Sequence, residues 1–347
     1  MKKEDKRIEY IDCLRCISIL LVVSFHVSAT ILNVSEDTLS YNHYLSQIRM
    51  PLFFFISGFV FYKNDDYWNK GNSFSFIIKK FKVQIISTAI FFFALMYIED
   101  IPFASGILSR HKNGYWFTIT LFEFYLLYLA LNFVSIKLKL KNKTKDIIII
   151  ASGLLLFIIN NTVSSLDIAF HFTLEMIGYP HWEYFTYFIF GTVVRKYFCK
   201  FEECIDTTKL IFASITVYFG LNIFQSSYTI PLLAENLLML VYGYTGIVII
   251  FSLFRKHQNI LTKGPIGQTM QFIGKRTLDI YFIHFFFLPA FPIHNFTIFN
   301  ENNIPMLEFC ASLLISMPVI ALCLTISSII RLSPALSHIL FGNKKHT

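Results

Sequence analysis

Charged side chains are scarce in this sequence. Only 15% of its 347 residues are Asp, Glu, Lys or Arg, whereas 55% are hydrophobic and 40 are Phe. The mean hydropathy is +0.56. A water-soluble protein of this length could not bury so much apolar surface, which excludes a soluble enzyme or binding module. We therefore expect an all-α polytopic membrane protein whose main solvent is lipid.

Long polar insertions, Pro/Ser-rich linkers and internal repeats are also missing. This predicts a single integral-membrane domain over residues 1–347 with short basic tails. The first apolar run lacks a small-residue cleavage site, so we expect it to remain as an anchor. Cysteine contributes only six residues, and the Cys13-x-x-Cys16 pair has no second ligand pair nearby. We therefore expect no metal site.

The net charge of +8 does not indicate a nucleic-acid partner, because the basic residues form short clusters between apolar runs. With a cytoplasmic N-terminus, 27 of the 30 Lys and Arg residues fall on cytoplasmic segments, leaving Arg49, Arg110 and Lys112 outside. This asymmetry predicts a bundle of about ten transmembrane helices around an intramembrane active site, with both termini cytoplasmic. The predicted spans are 13–32, 49–62, 80–98, 115–135, 146–160, 182–198, 209–226, 236–254, 277–293 and 306–330.

The first apolar run, residues 10–32, carries ionisable residues on one helical face. At 100° per residue, Asp12, Arg15 and His26 share one stripe, and His26 lies roughly 16 Å from Arg15 along the axis. An ionisable residue near mid-membrane is costly, so function is its default interpretation. The structural alternatives are a His26 that caps a neighbouring helix carbonyl and an Arg15 that snorkels to the interface.

Four further residues are candidates on the same reasoning. Arg49 either snorkels to the outer interface or contacts an acceptor. Glu123 lies inside the apolar fourth span, and it is either an interhelical hydrogen-bond partner or an orienting carboxylate. His284 lies two turns into the ninth span and has structural and functional interpretations of equal weight. Trp116 fits an interface belt as well as a substrate platform.

Several segments in chain order resemble one known family. The opening Tyr10-Ile-Asp-x-Leu-Arg15 is followed by an apolar run to His26, and residues 51–59 read PLFFFISGF. This series resembles the acyltransferase 3 family of integral-membrane O-acyltransferases, and the resemblance extends from the first to the ninth span. Its later landmarks are Tyr115-Trp-Phe117, the stretch from Tyr184 to Gly191, and Ile280-Tyr-Phe-Ile-His284.

The third span departs from the family pattern. The family usually has two arginines three apart there, whereas this chain reads Lys79-Lys80-Phe-Lys82. By resemblance, Lys80 and Lys82 are candidate donor-binding residues, but lysine lacks the planar bidentate fork of arginine. Arg49 stands where many sugar-acetylating relatives carry histidine.

The resemblance implies transfer of an acetyl group from acetyl-CoA to a sugar hydroxyl of a cell-surface or lipid-linked glycan, without a metal. A hydroxyl attacks a thioester only when a base takes its proton, and His26 is the candidate base. Arg15, held by Asp12, would bind a donor phosphate, and the four further candidates would lie on the acceptor side. We expect a multi-pass protein of the bacterial inner membrane, in contact with lipid and in an oligomeric state left open. The alternatives are a flippase or exporter of glycans or lipids, and a structural membrane protein.

Overall fold

The computed structural model describes residues 7–34, 40–109, 111–164, 179–205, 207–227, 231–288, 299 and 304–342. Nearly all of them are helical and none of them forms a strand, which confirms the all-α class. The helices are α1 (Glu9–Thr30), α2 (Tyr41–Phe61), α3 (Ser73–Ile98), α4 (Phe103–Leu108), α5 (Trp116–Lys137), α6 (Asn142–Ser164), α7 (Phe185–Lys196), α8 (Phe198–Ile205), α9 (Thr208–Ser227), α10 (Leu232–Lys256), α11 (Gln258–Leu261), α12 (Gly264–Lys275), α13 (Thr277–Ile283), α14 (Pro305–Leu332) and α15 (Pro334–Phe341).

Seven of the described helices are long and apolar enough to cross a membrane: α1, α2, α3, α5, α6, α10 and α14. Helices α8 and α9 would add an eighth if the 75° bend between them lies within one broken span. The longest helix in the predicted span at 182–198 is the 12-residue α7, and the predicted span at 277–293 extends beyond the described residues. The protein is thus an integral-membrane helical protein, and the count of ten stays a prediction.

Helix α2 begins earlier than the sequence pattern predicts. The predicted second span covers 49–62, whereas the helix runs from Tyr41 to Phe61. Its first two turns contain Asn42, His43 and Gln47, which hide the helix from a search for apolar runs. With 21 residues, α2 is long enough for a full crossing.

The chain divides into two compact units, one formed by Met1–Ile56 and Phe198–Ile326, the other by Ser57–Tyr197 and Ser327–Thr347. In the first unit, α1 packs against α12, α10 and α13. Gly274 of α12 lies directly on the backbone of Asp12, where an added Cβ would be 1.8 Å from the Asp12 carbonyl oxygen. This close approach fixes α12 against the charged end of α1.

The second unit has an aromatic core around Phe61, which stacks on Trp68 and Tyr125. Gly58 lets the backbone of α2 approach that of α7, since a Cβ there would lie 2.0 Å from the Phe188 carbonyl oxygen. Within α3, the segment Phe81–Ile86 widens to i→i+5 hydrogen bonding, a local geometry that is frequent at functional sites.

We expect Gly274→Ala to destabilise the protein by about 1–3 kcal/mol, because the new methyl group forces α12 away from α1. Gly220→Ala is the matched control, since nothing lies within 4 Å of that position and alanine favours a helix. Thermal unfolding of the detergent-purified variants measures both changes. A Gly274→Ala protein as stable as the control would contradict the close contact.

Candidate active site

The charged end of α1 is an ion cluster centred on Asp12. The Arg7 guanidinium donates two hydrogen bonds to the Asp12 carboxylate, from Nε at 2.6 Å and Nη2 at 2.9 Å. Arg15 Nη1 lies 3.5 Å from Asp12 Oδ1. The predicted Asp12–Arg15 pair is therefore present, but Arg7 is the closer partner. Its hydrogen bonds to Asp12 raise the pKa of Arg7, which precedes α1.

Helix α1 runs without interruption from this cluster to His26, so the predicted helical register holds. The Asp12 side chain is almost fully buried, whereas that of Arg15 keeps 29% of its surface exposed. Arg15 is thus accessible at one end of the helix, and His26 lies about 16 Å further along the axis.

His26 lies against a second histidine. Its ring centroid is 5.3 Å from that of His284 and 4.8 Å from that of Phe285. His26 is half-buried, and His284 is completely buried. The structure therefore brings together two of the predicted site residues that are 258 positions apart in sequence.

The backbone determines the proton arrangement of His284. Its Nδ1 lies 2.9 Å from the Tyr281 carbonyl oxygen and 3.1 Å from the Ile280 carbonyl oxygen. Because a carbonyl only accepts, Nδ1 carries the hydrogen and Nε2 keeps a lone pair. This buried Nε2 has no hydrogen-bond partner among the residues that the structure describes. A small polar group bound beside the two rings would satisfy it.

Arg49 is buried next to this histidine pair. The guanidinium carbon lies 3.8 Å from the centroid of the Phe25 ring, a cation–π contact. Nη1 is 3.4 Å from Asn42 Oδ1. Phe25 packs edge-on to His26, and the charge of Arg49 is close enough to interact with that imidazole. The Arg49 side chain is therefore held beside His26 by Phe25 and Asn42.

Glu308 is a buried carboxylate that sequence reasoning missed. It has no exposed surface and accepts hydrogen bonds from Ser28 Oγ at 2.5 Å, Ser40 Oγ at 2.7 Å and the Tyr41 amide at 3.3 Å. Because Glu308 lies near the start of an apolar run, its sequence position is typical of a residue at the membrane interface. The signal that could have identified it is the cost of a carboxylate within a transmembrane segment.

Glu123 and Trp116 of α5 belong to a second polar and aromatic cluster, in the other unit. The Trp182 indole donates a hydrogen bond to Glu123 Oε2 at 2.7 Å. The adjacent His181 stacks on Trp116, with ring centroids 3.8 Å apart, and Tyr184 extends the stack. Glu123 thus accepts a hydrogen bond from the turn before α7, and its role as an orienting carboxylate stays a prediction. Sequence reasoning did not identify His181 and Trp182, because only their residue types pointed to them.

The two lysines of the third span differ in surroundings. Lys80 is half-buried, with its ammonium group 5.2 Å from the centroid of Tyr125 and 5.5 Å from that of Phe76. Lys82 is exposed on the widened segment of α3. Their predicted donor-binding role stays a prediction.

Within the described ranges, no group of three His, Cys, Asp or Glu side chains is arranged to hold a metal ion.

We expect Glu123→Leu to destabilise the protein by about 1–3 kcal/mol, because the Trp182 indole loses its acceptor inside the unit. Glu123→Gln keeps an acceptor oxygen and should stay within about 1 kcal/mol of the parent protein. Thermal unfolding in detergent measures both. Equal losses of stability for the two substitutions would show that the negative charge of Glu123, and not its hydrogen bond, stabilises the unit.

The comparison with known families identifies one family for almost the whole chain. A family model described as "Acyltransferase domain" (Acyl_transf_3) matches residues 8–325, nearly the whole chain. No curated protein and no solved structure matches. The match gives no support to the transporter alternative. The chain therefore belongs to the acyltransferase 3 family of membrane acyltransferases.

Proposed function

We propose that this acyltransferase moves an acetyl group from acetyl-CoA to a sugar hydroxyl of a cell-surface or lipid-linked glycan, with His26 as the general base. The observation that carries the proposal is the close approach of the His26 ring to the ring of His284, whose buried Nε2 has no hydrogen-bond partner among the described residues. Two imidazoles beside one buried position suit the binding and deprotonation of a hydroxyl group.

In the reaction, the acceptor hydroxyl lies beside the two rings and donates its proton to His26. Its oxygen then attacks the thioester carbonyl, forming a C–O bond and a tetrahedral oxyanion. Collapse of this intermediate breaks the C–S bond and releases the CoA thiolate, which takes up the proton that His26 received and so restores the neutral base. The products are the O-acetyl ester and CoA. The His284 Nε2 lone pair would orient the sugar by accepting a hydrogen bond from a second hydroxyl of the acceptor.

The donor would enter from the end of α1 that carries Arg15. A half-exposed guanidinium beside a buried carboxylate is suited to binding a phosphate group. From there the pantetheine arm would follow α1 toward His26. Lys80 and Lys82 remain further candidates for donor contact. Because a positive charge at this end attracts an anionic donor, the same charge segregation that predicts the topology favours a cytoplasmic donor.

The proposal includes the ten-span topology with both termini cytoplasmic, and a location in the bacterial inner membrane. Its support is the distribution of 27 of 30 basic residues on one side of the predicted spans. In the second unit, Trp116, His181 and Tyr184 form an aromatic stack of the kind that can bind a sugar ring, and the acceptor-side role of Trp116 and Glu123 stays a prediction.

We expect His26→Ala to lower acetyl transfer, and acetyl-CoA hydrolysis by water, by about 10²–10⁴-fold, the usual contribution of a positioned base. The release of CoA by purified protein in nanodiscs measures the rate. His257→Ala is the matched control, because His257 is exposed in the turn after α10. Thermal unfolding checks that both variants fold. Full activity in a folded His26→Ala protein would overturn the proposed mechanism.

We expect Arg15→Lys to raise the KM for acetyl-CoA by about tenfold while kcat stays close to that of the parent protein, because lysine keeps the charge but loses the fork. Arg331→Lys, in the last turn of α14, is the control for a general effect of the exchange. A kcat defect at unchanged KM would argue that Arg15 acts in the chemical step and not in donor binding.

A further inference from the structure

Hydrogen bonds connect Glu308 to Arg49 through Ser28, Ser40 and Asn42, and we call this series the relay. Each of its bonds has a defined donor and acceptor. Three donors point at the Glu308 carboxyl group, which are the hydroxyl groups of Ser28 and Ser40 and the backbone amide of Tyr41. Ser28 and Ser40 each use their single hydroxyl hydrogen in these bonds. Their oxygen atoms can therefore only accept from any further partner.

That further partner is Asn42. Its side-chain Nδ2 donates to Ser28 Oγ at 3.2 Å, and its backbone amide donates to Ser40 Oγ at 3.1 Å. With its nitrogen turned toward Ser28, the carboxamide presents Oδ1 to Arg49 Nη1, which lies 3.4 Å away. The Glu308 carboxyl group, through the two serine hydroxyls, thus sets the orientation of an amide that contacts Arg49.

Two residues of the relay, Asn42 and Arg49, contact the helix that carries His26. Ser28 receives the bond from Asn42, and Phe25 supports the guanidinium with its ring face. Both residues belong to the same turn of α1 as His26. The relay therefore holds the Arg49 guanidinium at a constant position relative to the His26 imidazole.

We propose that Arg49 is a catalytic residue that stabilises the oxyanion of the tetrahedral intermediate, and that Glu308 is the residue that positions it through Ser28, Ser40 and Asn42. This inference rests on the proposed acetyl transfer. As the acceptor oxygen attacks, the carbonyl π electrons move onto the carbonyl oxygen, and a fixed buried cation is most effective at that point. When the intermediate collapses, the charge leaves on the CoA sulfur.

Acetyl-CoA hydrolysis tests the proposal without a known acceptor, because water replaces the sugar hydroxyl and the oxyanion is the same. In the full-length protein in nanodiscs, Arg49→Ala should lower kcat by about 10²–10³-fold, as for the loss of an oxyanion donor. Arg49→Lys should recover part of this loss. A residue that only contacts the acceptor would leave hydrolysis unchanged.

A double-mutant cycle tests the positioning role. Glu308→Gln should lower kcat by about tenfold, since its amide nitrogen can reverse the relay, and should have no further effect in the Arg49→Ala protein. Asn42→Leu interrupts the relay at its centre without touching Glu308, and should behave in the same way if Glu308→Gln fails to fold. The matched control is Glu203→Gln, because Glu203 is exposed on α8.

Each result has one meaning. Wild-type protein that releases no CoA overturns the proposed acetyl transfer, and this inference with it. Hydrolysis that depends on His26 but not on Arg49 overturns this inference alone. Losses from Glu308→Gln and Asn42→Leu that multiply with the loss from Arg49→Ala show a general structural effect and overturn the positioning role of Glu308.

Discussion

Ionisable side chains inside a hydrocarbon layer have no water to solvate them, and this constraint shapes the whole candidate site. Three buried charges of the first unit are held by other protein groups. Asp12 accepts from Arg7 and lies near Arg15, Glu308 accepts from two serines and a backbone amide, and Arg49 rests on an aromatic face. Such arrangements bring together residues from several helices, because one helix cannot satisfy its own buried charges.

The parts of the site that lie on one helix could be predicted from the sequence. The 3.6-residue period places Asp12, Arg15 and His26 on one face, and the uninterrupted α1 preserves that face. The low charge content and the apolar runs likewise predicted the all-α membrane class. Spans interrupted by polar residues were harder to delimit, as the early start of α2 at Tyr41 illustrates. The number of crossings is the weakest part of the prediction for the same reason.

Contacts between distant segments could not be predicted. Arg7 is only five residues from Asp12, but it precedes the helix, so the period gives no rule for its position. The partners of Glu308 lie about 270–280 positions earlier in the chain. Trp182 and His181 meet Glu123 and Trp116 only because α5 packs near the turn before α7. A single sequence shows that such residues are costly to bury in lipid, but it does not show which of them contact one another.

Stability alone gives no reason for the Glu308 relay. Replacing a buried ionic network by well-packed apolar side chains is often neutral or even stabilising, since the desolvation of the charges is avoided. A family member that needed only a tight contact among α1, α2 and α14 would do as well with leucine at these positions. The relay does what apolar packing cannot, because it holds an amide in one orientation and a cation at one place. In a medium of low dielectric constant, a charge that is already oriented needs no reorganisation when negative charge develops next to it. The same scarcity of water that makes Glu308 costly to bury would make Arg49 effective beside His26.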